Sequence, residues 1–280
     1  MLPVTAFNPK NRTRLKRAVD SCLKDDGKRS SSCKPKRAKV QTIECPSRVG
    51  SAIVDPGRVR RLEKGDGGCP KVEQEAKSEN SGCVVYWMSR DQRVKDNWAL
   101  LHAQERASDA KKPLVVVFNV VPKYLEATVR QFGFMLKGLA EVEKDLKSAG
   151  IPFFLLTGDP VVNVPRFVCE HQASLLVTDF SPLRTGRAWK RGVASKVSCD
   201  VDEVDAHNIV PVWCASSKIE YGARTIRPKI TKQLPRFLVK FPKLETPHPY
   251  AWSGSLPEDV DWSAVDDSLE IDRHVPEVKT

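Results

Sequence analysis

Two short polar clusters follow apolar runs in this 280-residue chain, and both carry side chains suited to holding a ligand. Arg90, Asp91 and Arg93 come after Val84-Val85-Tyr86-Trp87-Met88, and Asp179, Phe180, Ser181 and Arg184 come after Leu175-Leu176-Val177-Thr178. If each run is a strand of one parallel sheet, both clusters fall at the carboxyl ends of strands, where ligands sit in open α/β sheets. There Arg184, near a helix start, is placed to bind a ligand anion, and the Phe180 face to stack on a planar ring. The alternative is structural, with Arg90 and Asp179 serving the fold as ion-pair and capping groups.

Other constellations carry less. Gly65-Asp66-Gly67-Gly68 is glycine-rich but follows no strand, which argues against a phosphate-cradling loop. Ser195, Asp200 and His207 are the residue types of a hydrolase triad, yet no Gly-x-Ser-x-Gly turn presents the serine. His102 and His171 fall on helical segments, where a satisfied histidine is the ordinary case, and Trp87 and Trp98 read as core anchors. Arg224, Arg227, Lys229, Lys232 and Arg236 form a basic stripe with Phe237 and Phe241 interleaved. Nucleic-acid contacts are built from such residues. A solvated helix face is the simpler reading, with Ile226, Ile230, Leu234 and Phe237 packed on a neighbouring surface.

The elements that must position these residues follow from the hydrophobic pattern. Strands are expected at Cys83 to Met88, Leu114 to Asn119, Ile151 to Thr157, Ser174 to Asp179 and Val201 to Val204, most of them continuous apolar runs of the kind buried on both faces. Helical spacing falls between them: Asp96 to Asp109 with Asp96 at the N-terminus, Thr128 to Ser148 closed by Gly150, a short helix to His171, and Pro182 to Lys196. The fold class is therefore α/β, a five-stranded doubly wound parallel sheet of Rossmann-like type over residues 81–206.

Flanking regions differ in composition. Residues 1–80 hold 19 Lys and Arg against 10 Asp and Glu, so they supply +9 of the chain's formal +11. Phe7 is their only aromatic residue, and such a segment buries too little apolar surface to offset its ordering entropy. A disordered basic tail is expected, whose removal spares folding. Its blocks Arg12-Thr13-Arg14-Leu15-Lys16-Arg17 and Lys34-Pro35-Lys36-Arg37-Ala38-Lys39 are of the type read by a nuclear import receptor. Residues 207–280 contain eight prolines and read as a connector with one helix near Ala223 to Phe241. The eight cysteines include no Cys-x-x-Cys pair and follow no secretory segment, so reduced intracellular thiols and no metal site are expected. No stretch is long and apolar enough to span a bilayer.

Three stretches carry a family resemblance: Tyr86-Trp87-Met88-Ser89-Arg90-Asp91-Gln92-Arg93 with Asp96-Asn97-Trp98-Ala99-Leu100; Thr178-Asp179-Phe180-Ser181-Pro182-Leu183-Arg184; and Lys218-Ile219-Glu220-Tyr221-Gly222-Ala223-Arg224-Thr225-Ile226-Arg227-Pro228-Lys229-Ile230. Over residues 83 to 278 the chain resembles the class II cyclobutane pyrimidine dimer photolyases of the photolyase and cryptochrome family. The resemblance implies an N-terminal α/β antenna domain and the linker after it. It implies repair of UV-damaged DNA, in which light drives an electron from reduced FAD into a pyrimidine dimer flipped from the stack. FAD belongs to a helical domain that the family places after this linker, so a truncated form is expected here. No catalytic or flavin-binding residue of the family carries over onto this sequence. What the resemblance leaves to this chain is an antenna chromophore, deazaflavin or folate, with Arg90, Asp91, Arg93, Asp179, Phe180 and Arg184 as candidate contacts. Repair in the nucleus is the expected role; a non-catalytic chromophore- or nucleotide-binding protein and a cryptochrome-like signalling relative are the alternatives.

Overall fold

The apolar runs become the strands of one six-stranded sheet. The computed structural model describes residues 52–63 and 82–278, and its strands are β1 (Val59–Arg61), β2 (Val84–Met88), β3 (Leu114–Val120), β4 (Phe153–Thr157), β5 (Leu175–Asp179) and β6 (Asp200–Val204), in the order β1-β6-β5-β2-β3-β4. From β2 to β6 every pairing is parallel, as the run of βα units requires. β2 and β5 are buried along their whole length. Two helices, α1 (Trp98–Asp109) and α2 (Val129–Ser148), cover one face around Tyr86, Met88 and Val116; two more, α3 (Pro160–Glu170) and α4 (Arg184–Ala194), cover the other around Val85, Trp87 and Val117.

Helix ends follow local chemistry. Asn97, not Asp96, caps α1: its side chain accepts from the amides of Ala99 and Leu100, while Asp96 takes a left-handed φ of 54° in the turn before it. Thr128 and Gln131 form a capping box on α2, and Gly150, at φ 69°, ends it. Asp159 accepts from the Val161 amide ahead of Pro160 at the start of α3.

The sixth strand corrects the expected five, and it comes from the segment read as a disordered tail. β1 runs antiparallel to β6, with Val59 opposite Val204, Arg60 opposite Glu203 and Arg61 opposite Asp202. Val59 packs on one core cluster and the adjoining Leu62 on the other, and charge completes the attachment. Arg60 pairs with Glu203, and Arg61 with both Asp200 and Asp202. The basic blocks and the Gly65-to-Gly68 run lie outside the described residues.

After β6 the chain forms α5 (Val212–Ala215), α6 (Ala223–Phe237) and α7 (Trp262–Asp267). This connector builds a small core of its own around Phe180, and its later part packs on the core of the sheet domain. Phe237, Ile230 and Leu234 of α6 pack with Phe180, Val210 and Trp213. Further along, Gln104 exchanges two hydrogen bonds of 2.8 Å with the Glu245 backbone, and the Trp262 indole donates to Glu143 at 2.7 Å. Cys83 is buried and its thiol is pushed up to about 12 by that burial, which leaves it unreactive. Cys169 and Cys214 each take part in a disulfide, against the expectation of a wholly reduced set, because spacing along the chain does not reveal which thiols a fold brings together.

Candidate functional site

The polar turn after β2 is folded around a carboxylate from β5. Asp179 ends β5 with no exposure, and one of its oxygens accepts from three successive amides: Ser89 at 2.8 Å, Arg90 at 2.8 Å and Asp91 at 3.2 Å. Such convergent N–H groups form an anion nest, here filled by the protein itself. The other oxygen takes the Tyr86 hydroxyl at 2.8 Å, and Asn97 Nδ2 donates back to Tyr86 and to the carbonyls of Asp91 and Arg93, each at 3.0 Å. Burial, with the neighbouring Asp91 carboxylate, pushes Asp179 above the ordinary carboxylate range against the pull of its donors. Burial also raises Tyr86, so its hydroxyl keeps its proton.

The remaining candidates are spread around this bracket. Asp91 is buried, with Arg93 Nη1 at 2.9 Å and His207 Nδ1 at 3.3 Å on one oxygen; its other oxygen has no partner among the described residues. Arg90 is half-buried and reaches the Phe180 carbonyl at 3.5 Å. Phe180 lies edge-on to Trp213 at 5.5 Å, with Arg60 and Lys190 over its ring, so its face is already covered. Arg184 is exposed at the first residue of α4. Arg90 and Asp179 thus meet through backbone rather than as an ion pair. Ser195, Asp200 and His207 bond to Gly192, Arg61 and Asp91.

Beside the bracket, at the carboxyl ends of β2 and β3, opens a crevice of about 230 Å³. Trp87, Phe118, Tyr124, Phe132 and Trp189 supply its rings, Met88 and Met135 its soft apolar surface, and Ser89, Gln92, Asn119 and Gln131 its polar rim. Among the described residues no charged side chain lines it, and none of the six sequence candidates does. Tyr124 and Trp189 stand 5.8 Å apart with their planes tilted by 55°. Asn119 is held by donating to Gly158 O at 2.9 Å and accepting from Asn163 at 3.1 Å. Sequence reasoning missed Tyr124 and Trp189, which come from a loop and a helix 65 positions apart. The available signal was Trp87, an aromatic residue one position from the end of a central strand.

This chemistry admits a planar, largely apolar, uncharged group. It does not fit FAD: the crevice is small for a dinucleotide, and among the described residues no cation lines it to meet a pyrophosphate. Among the described residues no group of three or more His, Cys, Asp and Glu is arranged to hold a metal, and no helix is long and apolar enough to cross a membrane.

A doubly wound sheet with a ligand-sized crevice at the carboxyl ends of its strands defines a class of small-molecule-holding α/β domains. Residues 84–248 match the DNA photolyase family model, and the chain belongs to that family. It is 49% identical over 235 residues to a deoxyribodipyrimidine photo-lyase of Arabidopsis thaliana, covering 82% of this chain and 46% of the relative. It is also 49% identical over 202 residues to that of Potorous tridactylus, covering 71% and 38%. A class III photolyase structure from Agrobacterium tumefaciens aligns with 68% of this chain and 39% of its own, at 19% identity and a TM-score of 0.47. The chain therefore spans less than half the length of these relatives.

Proposed function

We propose that this protein serves light-driven repair of cyclobutane pyrimidine dimers in DNA, as a photolyase of the class II branch, and that its α/β domain holds an antenna chromophore. The 49% identity to a deoxyribodipyrimidine photo-lyase over 235 residues carries the reading. The three motifs around Tyr86, Thr178 and Lys218 support the class II assignment. In the family, FAD supplies the electron that splits the dimer; the described residues do not fit FAD, and none of them is assigned a step in that chemistry.

What these residues do is bind and orient. The aromatic walls of the crevice hold a ring system by stacking and edge contacts, and Asn119 and Gln92 fix its orientation at the rim. An uncharged lining favours a deazaflavin-like ring over a folate, whose carboxylates would find no cation. Work on DNA in a nucleated cell would require import, for which the blocks at 12–17 and 34–39 supply the charge.

Two measurements test this function. In cells that make the protein, disrupting its gene is expected to abolish blue-light-dependent removal of dimers; unchanged light-dependent removal would refute the repair role. The purified protein is expected to carry an absorption band at longer wavelength than its own aromatic residues. Ala127→Trp, which fills the crevice, should remove that band. A band that survives the substitution would place the chromophore elsewhere.

A further inference from the structure

Helix α6 is anchored on one face only. Phe237 is buried and Ile230 and Leu234 are half-buried against Phe180 and Trp213, so the remaining arc of the helix faces outward, with Arg227 at its border beside Leu234. That arc and its flanks are strongly cationic. From residue 216 to residue 244 the chain carries Lys218, Arg224, Arg227, Lys229, Lys232, Arg236, Lys240 and Lys243 against a single acid, Glu220. Lys229 is used by Glu220, and Arg236 by Asp55. Among the described residues, Arg224, Arg227 and Lys232 are exposed and pair with no carboxylate.

The fold gains nothing from these three. Like charges a turn apart on a helix repel. Arg224 stands in the first turn, at the positive end of the helix dipole, where a cation is disfavoured. A neutral or acidic residue would stabilise α6 better at each position. Tyr221, just before the helix, is 93% exposed.

We propose that this outer face of α6, centred on Arg224, Arg227 and Lys232 with Tyr221 at its edge, docks the phosphate backbone of duplex DNA, whether or not the DNA is damaged. The complement it lacks is negative charge repeated along a line. Arg224 and Lys232 are separated by about 12 Å along the helix axis, enough to meet successive phosphates of one strand or to face phosphates across a groove of similar width. Contacts of this type position a protein on DNA without reading sequence. The choice of DNA over another polyanion rests on the repair reading above.

The test uses the full chain and an undamaged, fluorescently labelled duplex of about 30 base pairs, titrated by anisotropy across a salt series. The triple substitution Arg224→Ala, Arg227→Ala and Lys232→Ala is expected to weaken binding at least tenfold at low salt. It should reduce the slope of log affinity against log salt by about two to three, one counterion for each lost phosphate contact. Arg224→Lys with Arg227→Lys keeps the charge and should keep the affinity. The tail's charge is identical in all variants and cancels from the comparison. Unchanged affinity and slope in the triple variant would overturn the proposal. So would binding to phosphatidylserine vesicles that falls while duplex binding holds, which would give the face to a membrane. Undamaged DNA requires no light, flavin or dimer, so failure here leaves the repair role standing, and failure of repair leaves this surface standing.

Discussion

Arg58 Nη2 donates to the Phe237 carbonyl at 3.0 Å, joining the turn before β1 to the last residue of α6. The same guanidinium reaches the carbonyls of Asp205, Asn208 and Ile209, lies 4.7 Å over the Trp98 ring and is 1% exposed. Burial lowers it to about 10, so it stays charged at neutral pH. One planar fork thus gathers three chain segments, a task a lysine's point charge cannot repeat. Arg58→Met is expected to leave those carbonyls unpaired and to cost about 3–5 kcal/mol in urea unfolding, with Arg58→Lys recovering only part. A loss below about 1 kcal/mol would show that water replaces the guanidinium without penalty.

Asp179 makes a parallel demand on the crest beside the crevice. Its nest of three amides offers only donors, so Asp179→Asn would turn an amide N–H₂ or a weaker acceptor toward them. The expected loss is roughly 3 kcal/mol, with faster hydrogen exchange at Ser89, Arg90 and Asp91. Because Ser89 also lines the crevice, any chromophore band should broaden or shift in the variant. Exchange at these three amides equal to that of the parent would remove the carboxylate from its assigned role.

The attachment of β1 should fail in acid. Asp202 is opposed by burial, but His102 and Arg61 hold its pKa below the ordinary value; Asp55 is likewise opposed by burial and held down by Arg236 and the Gly57 amide. A carboxylate with a depressed folded pKa contributes stability that is complete above its unfolded value of about 3.9 and is lost as pH falls through the folded one. Asp202→Asn should therefore be less stable than the parent at pH 7. The two should converge as the pH is lowered from about 4 toward 2. A constant gap across that range would show that the pair does not titrate with folding.

Continuous apolar runs such as Leu114–Val120 and Leu175–Asp179 made the parallel strands legible, because both faces of a central strand must be covered and little else produces that pattern. Val59–Arg61 was illegible for the opposite reason. Two of its three residues are arginines inside a basic region, and their partners, the acids of Asp200–Val204, are distant in sequence. Those acids were a readable hint, since a strand with three carboxylates in five residues requires a cationic neighbour. For the site, Asp179 and the turn at Ser89 to Asp91 were found, but as its frame. Its walls come from side chains on five separate elements and the loops between them, which only the finished fold brings together.

This dependence on charge makes the length of an N-terminal deletion decisive. Removing residues 1–51 leaves β1 and its arginines in place. Removing residues 1–63 takes away Arg58, Arg60 and Arg61 together and strips the arginine partners from Asp200, Asp202 and Glu203, leaving Asp202 with His102. Asp202 and Glu203 are at most 4% exposed, and Glu203 would keep only Lys190, so buried carboxylates lose compensation while β6 becomes a sheet edge. The Arg58 socket between Asn208 and Phe237 would also empty, loosening α6 from the sheet. The shorter deletion is expected to retain the parent's cooperative thermal unfolding, and the longer one to lose several degrees or to unfold without a sharp transition. Equal midpoints for the two deletions would show that β6 holds its acids without β1, and that the sequence expectation of a dispensable segment was correct for folding after all.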